Sequence, residues 1–262
     1  MDELKIAAPV EDGVAAAAPA GAPPLRARPL PRGLAIMQAI AVSGVPTGLF
    51  VAACLMFLTN MRPYEGAGLS LEFMSTLTLL DTALIALLIR VFLEFGGEDS
   101  RRVFLGSRPV LGEIVRGVLL VPVMFAAVTG IVLGLRAVAP WLHTVAISPV
   151  EQFMRSPLDA AIFLVVAVLG GGVREELQRA FILHRFEQSL GGVKLGLVVF
   201  SLVFGLLHVD QGLDVALAVG ALGLFWGLLY VKRRSAVMAM ANHAGFNAVQ
   251  VLQGVLARSL GI

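Results

Sequence analysis

Seven stretches of this chain are each apolar over close to the twenty residues that a helix needs to cross the hydrocarbon of a bilayer. On a coarse reading they run over 34–58, 70–93, 114–138, 157–188, 193–209, 213–231 and 235–257. Backbone in hydrocarbon finds no water for its N–H and C=O groups, and helices of this length satisfy them internally. The expected fold is therefore all-α: a polytopic membrane helical bundle of about seven transmembrane helices with a polar site inside it. Composition agrees, with 58% hydrophobic and 15% charged residues against about 25% charged in an ordinary soluble domain.

A net charge of +2 and a pI near 9.0 do not indicate a nucleic-acid partner, because the basic residues lie in loops rather than on one face. Cys54 is the only cysteine, which excludes a disulfide framework and a Cys-based metal site within the chain. No internal repeat suggests a transporter built from two related halves.

Residues 1–32 hold six of the thirteen prolines and an alanine run at 15–18. Such a segment buries too little apolar surface to offset its ordering entropy, so a disordered cytoplasmic tail is expected there. Its first residues, Met1-Asp2-Glu3, lack the flank and apolar core of a signal peptide. Transmembrane helices are expected over 33–150 and a catalytic transmembrane core over 151–262. Arg101, Arg102 and Arg108 lie in the loop at 94–113, Arg185 and Lys194 in 185–194, and Lys232, Arg233 and Arg234 in 232–234. These alternate loops are the basic ones; Arg62, Arg136 and Arg155 are spread thinly over the others. The bias of lysine and arginine toward cytoplasmic loops puts the N terminus inside and the C terminus outside. Two spans fit poorly: the second carries Glu72 and Asp81, and the fourth is too long for a simple crossing.

The most apolar third of the chain also contains side chains that hydrocarbon rejects, at about 2.5–3.5 kcal/mol for a carboxylate at the bilayer centre. They are Glu175-Glu176, His208, and His243 with Asn247 one helical turn later. Gly170-Gly171-Gly172 precede the first pair and permit close helix approach or a local break. Arg174, Gln178 and Arg179 arrive with the glutamates, and Glu175 and Arg179 stand four apart, in the favourable order for a helical ion pair. Taken singly, these also read as solvated charges, an interfacial structural histidine and an interhelical hydrogen-bond pair; in the functional reading Asp210 orients the His208 imidazole and fixes which nitrogen faces the site. Together they supply a base, two imidazoles and an amide donor.

Glu-Glu followed by Arg, then Phe204-x-x-x-His208, then His243-x-x-x-Asn247, in that order on separate membrane helices, resembles the CPBP intramembrane proteases. That family includes the type II CAAX prenyl endopeptidases and Abi relatives linked to bacteriocin maturation or self-immunity. The likeness covers roughly 155–255. One feature departs from it: the family's first motif is Glu-Glu-x-x-x-Arg, and here Ala180 holds that position while the arginine stands one earlier, at Arg179. One residue is about 100° of helix rotation.

The resemblance implies an endopeptidase, metallo- or glutamic, that cleaves membrane-associated peptides or proteins, prenylated CAAX-type or bacteriocin-like substrates among them. Its bacterial members imply a bacterial inner membrane. It puts Glu175 and His208 on the attacking water, and His243 and Asn247 opposite the carbonyl, with Glu176 and Arg179 in support. The residue types suit those roles: a partly desolvated Glu175 can take the water proton, and His243 and Asn247 offer donors to the oxyanion. Glu175, His208 and His243 could also form a three-ligand Zn2+ site with water in the fourth position, although a His-Glu-x-x-His helix is absent.

Counting about 1.5 Å per residue from the cytoplasmic ends of their spans, His208 would sit about 22 Å up and His243 about 12 Å. A shared site then requires the fifth span to be displaced or tilted, with Val209–Gly212 lining a protein-walled cavity. Two other classes remain open: a non-catalytic immunity or scaffold protein, favoured by the displaced arginine, and a small proton-relaying transporter.

Overall fold

The computed structural model describes residues 29–66, 68–146 and 149–260. The tail expected over 1–32 falls almost wholly outside them. Nearly all described residues are helical, and the one sheet among them is a two-residue ladder of β1 (Tyr64–Glu65) and β2 (Gly68–Leu69).

The first span is two helices, α1 (Arg32–Ala41) and α2 (Val45–Leu58), bent by 43°. Gly44 makes the bend at a φ of +91°, a region that glycine enters without a Cβ penalty. The bend frees the carbonyl of Val42, which accepts a hydrogen bond from Gln178 Nε2 at 2.6 Å. α3 (Leu71–Phe95) starts at Ser70, whose hydroxyl accepts from the Phe73 N–H, an N-cap of the usual kind. The short α4 (Ser100–Phe104) follows, and then α5 (Val110–Leu119) continues into α6 (Val121–Val138).

The fourth span begins as α7 (Pro157–Val166), widens into a π-helical segment (Ala167–Glu175) and ends as α8 (Glu176–Ser189). The last three helices are α9 (Val193–Leu206), α10 (Leu213–Arg233) and α11 (Val237–Leu260).

Among the described residues, α3, α5–α6, α7–α8 and α10 are long and apolar enough to cross a membrane, and the bent α1–α2 pair makes a fifth. The fold is an all-α, polytopic membrane bundle, but the expected count of seven is not reached by that measure. α9 has only 14 residues, about 21 Å of helix. α11 has the length, but His243, Asn247, Gln250 and Gln253 lower its hydropathy. Both shortfalls have a cause in the site: α9 stops where the site lies, and α11 lends it a polar face. The two poorly fitting spans are also explained. Asp81 on α3 is buried and meets Arg174 at 2.7 Å, and the fourth span is long because it carries the π segment.

The basic loops meet at one end of the bundle. There Arg108 Nε donates to the carbonyl of Arg233 at 3.0 Å, and Arg234 grips Glu187 through both nitrogens at 2.6 and 2.7 Å. Glu98 accepts from His184 Nε2 at 2.5 Å, Arg185 Nη1 at 2.7 Å and Gln188 Nε2 at 2.7 Å. Burial pushes the Glu98 carboxyl up, but these hydrogen bonds and the Arg185 charge outweigh it and hold the group below its ordinary value. At the other end Arg136 Nε and His143 Nδ1 donate to Asp214 Oδ2 at 2.7 and 3.1 Å. Arg155 approaches Glu65 at 3.9 Å there.

Candidate active site

The three glycines perform both tasks open to them, because their helix breaks its α pattern while other helices press against it. A Cβ on Gly170 would meet Thr78 Cγ2 of α3 at 2.5 Å. One on Gly171 would strike Asn247 Nδ2 and lie 3.5 Å from His243 Nε2, and one on Gly172 would lie 2.5, 2.7 and 2.9 Å from Ala244 Cβ, Cα and N. Only bare backbone here lets α11 come close enough to set His243 and Asn247 against the glutamates. Asn247 Nδ2 donates to the carbonyl of Ala167, where the π segment begins, at 3.0 Å. π-helical turns are rare and concentrate at functional sites.

Glu176 is fully enclosed. It accepts from Arg179, three residues on, and from His243 Nδ1 at 2.8 Å. The expected Glu175–Arg179 pair does not form. Residues three and four apart are both neighbours on a helix face, so moving the arginine by one position changes its flank and leaves the second glutamate as its partner. Arg179 is itself completely buried, and its Nε and Nη2 have no hydrogen-bond acceptor. They lie instead among the rings of Phe200, Phe204 and Trp226, with Cζ at 4.9, 4.8 and 5.4 Å from the centroids, and the ring faces attract the cation.

Trp226 also stacks on His243, with centroids 3.7 Å apart and planes within 14°. Its Nε1 donates to Asn242 Oδ1 at 2.8 Å, and Asn242 Nδ2 donates to the carbonyl of Gly117 at 3.0 Å. His243 is thus fixed by Glu176 at its edge and by Trp226 on its face. Trp226 and Asn242 did not emerge from the sequence, where an aromatic residue in an apolar run carries no spacing signal.

Glu175 points the other way. Arg174 Nη2 approaches it at 3.5 Å and His243 Nε2 at 3.9 Å, and its side chain keeps 18% of its exposure. His208 Nδ1 donates to the carbonyl of Phe204 at 2.7 Å. A carbonyl only accepts, so Nδ1 carries hydrogen and Nε2 of the neutral ring is left free. This corrects the expectation that Asp210 orients the imidazole. The Phe204 ring lies between the two histidines, 4.9 Å from His208 and 6.4 Å from His243.

Glu175, His208, His243 and Asn247 all line one chamber of about 790 Å³. Glu175, Phe204, His208 and Gln211 also line a second, more apolar cavity of about 530 Å³ between α1, α8 and α9. Val209–Gln211 form a 3₁₀ turn there, with Gln211 on both cavities.

The depth difficulty does not keep the groups apart, since His243 Nε2 lies 3.9 Å from Glu175 and the turn before α11 is buried against α8 and α10. Ser235 and Ala236 are 0% and 1% exposed, and Ala236 packs with Ala180, Leu183 and Tyr230. His243 is thereby raised toward Glu175, which stands about 21 Å along the helix from Ser189, while α9 places His208 at a similar height from Val193.

Among the described residues, no group of three His, Cys, Asp or Glu side chains is arranged to hold a metal ion. Glu175, His208 and His243, the set suggested by the sequence, do not form such a group.

Residues 157–249 fit the family model described as Rce1-like, type II CAAX prenyl endopeptidase. The match spans the segment that holds every site residue and agrees with the family resemblance read from the three motifs. Neither the curated proteins nor the solved structures include a match.

Proposed function

We propose that this chain is an intramembrane endopeptidase that hydrolyses peptide bonds of membrane-associated substrates with a water activated by Glu175 and His208. The observation that carries this reading is the convergence of Glu175, His208, His243 and Asn247 on one chamber. A water held between the Glu175 carboxylate and His208 Nε2 gives its proton to Glu175 as its oxygen attacks the scissile carbonyl. The developing oxyanion meets the second hydrogen of Asn247 Nδ2, whose first is held by Ala167. It also meets His243 when that ring is protonated, since Nδ1 is committed to Glu176 and only the imidazolium carries hydrogen at Nε2 as well. Collapse breaks the C–N bond, and Glu175 returns the proton to the leaving amine. Glu176 and Arg179 orient His243.

The second cavity, walled by Ile36, Ile40, Ile182, Phe186, Val199 and Leu207, suits an apolar or lipidated part of the substrate. CAAX-type prenylated and bacteriocin-like chains are the substrate classes. The setting is a bacterial inner membrane with the N terminus cytoplasmic. The non-catalytic alternative drew its support from the displaced arginine, and Arg179 nevertheless occupies Glu176.

The test is a profile of new protein N termini in membranes of cells carrying wild type, Glu175→Ala or His208→Ala. Termini confined to wild type support the proposal; identical profiles in all three overturn it.

A further inference from the structure

The large chamber is elongated. Its polar lining on α11 continues beyond the candidate catalytic residues, from His243 and Asn247 through Gln250 and Gly254 to Arg258. These positions recur every three or four residues, so they share one helix face. The face is unusual for a helix of a membrane bundle, because it replaces apolar side chains with amides that can donate to and accept from a peptide backbone. From Asn247 to Arg258 it runs about 16 Å, room for about five residues of extended chain. Arg258 donates to the carbonyl of Met154 at 3.3 Å, and Glu151 borders the same mouth.

The direction is equally informative. The mouth lies where α11 ends and where the segment around Met154 meets it. The basic loops with Lys232, Arg233 and Arg234 are at the opposite end, where α11 begins. Lysine- and arginine-rich loops remain on the cytoplasmic side, so the mouth faces away from the cytoplasm.

We propose that this face of α11 is a track for an extended polypeptide, which enters from the side opposite the basic loops, passes the Met154 side chain that lies against Gly254, and lies along Gln250 and Asn247 to reach Glu175. The track binds backbone rather than particular side chains. It holds about five residues of chain on one side of the scissile bond. The inference rests on the proteolytic reading for its purpose, but its geometry is testable without catalysis.

The experiment places single cysteines in a Cys54→Ala chain and adds a membrane-impermeant maleimide to right-side-out and inverted membrane vesicles. Gln250→Cys is expected to react in right-side-out vesicles only, and Lys232→Cys in inverted vesicles only. Adding Ala257→Trp, which narrows the mouth, is expected to abolish labelling of Gln250→Cys while leaving Lys232→Cys labelled. Reaction of both cysteines from one side, no reaction of Gln250→Cys from either, or indifference to Ala257→Trp overturns the track. In cells, Ala257→Trp alone is expected to lose the internal cleavages made by wild type; their persistence also overturns it. A wild type that cleaves nothing defeats the proteolytic reading, and the labelling still decides the track.

Discussion

Gly172→Ala tests the close approach on which the whole site depends. The added methyl carbon would sit 2.5 Å from Ala244 Cβ, 2.7 Å from its Cα and 2.9 Å from its N, where ordinary contact begins at 3.4 Å. Two of the three atoms are backbone, so relief requires α11 to move outward by roughly 1 Å. Overpacking of this kind costs about 1–3 kcal/mol. A 1 Å displacement of catalytic groups costs on the order of 100-fold in rate, and here it would carry His243 and Asn247 away from Glu175 together. Gly134→Ala on α6, where nothing lies within 4 Å of the new atom, is the matched control. The readouts are thermal unfolding in detergent and the yield of wild-type-dependent new N termini. Gly172→Ala is expected to unfold earlier and to lose about 99% of cleavage, with the control unchanged on both. Adding Ala244→Gly removes the nearest atom but leaves the backbone contacts, and is expected to restore only part of the loss. Wild-type cleavage by Gly172→Ala would refute the reasoning.

The displaced arginine gives a sharper test than its removal alone. Arg179→Ala strands the buried Glu176 charge at a cost of about 3–5 kcal/mol. Arg179→Ala/Ala180→Arg, which recreates the family spacing, is expected not to recover, because Ala180 is fully buried among Leu183, Leu197 and Tyr230; unfolding midpoints decide it. Trp226→Phe keeps a ring on His243 but drops the bond to Asn242, at about 1 kcal/mol, and is expected to retain more cleavage than Trp226→Ala. Glu98 has a depressed pKa in the folded state, so its stabilisation is full above the ordinary carboxylate value and is lost as pH falls through the folded one. The gap in unfolding temperature between wild type and Glu98→Gln should therefore be widest near neutrality and shrink in acid; a gap independent of pH contradicts this.

The sequence revealed most where physical cost is local. A carboxylate pair, two histidines and an amide inside apolar runs need partners, and the structure brings Glu175, both histidines and Asn247 to one chamber, with Glu176 buried against His243. The helices around them were equally readable, since long apolar runs leave few alternatives. What stayed hidden depends on neighbours distant in sequence. Residue counting assumed that α11 starts at the membrane surface, but the turn at Ser235–Ala236 is buried beside α8, and no local pattern reports that. The glycine triplet signalled either a break or a close approach without saying that it serves both. The ring stacked on His243 comes from α10, and only packing connects Trp226 to the motif it supports. Asp210 stands close in sequence to His208, yet the imidazole Nδ1 donates its hydrogen bond to the carbonyl of Phe204, one turn back.

The most direct measurement uses the purified protein. Wild type and Glu175→Gln, each reconstituted in vesicles, are given membrane proteins from cells lacking the protease, in H₂¹⁸O and with or without a zinc chelator. Wild type is expected to generate new C termini carrying ¹⁸O in both conditions, and Glu175→Gln to lose about 100-fold or more of them. Equal products from both proteins, or none from wild type, would contradict peptide hydrolysis at Glu175.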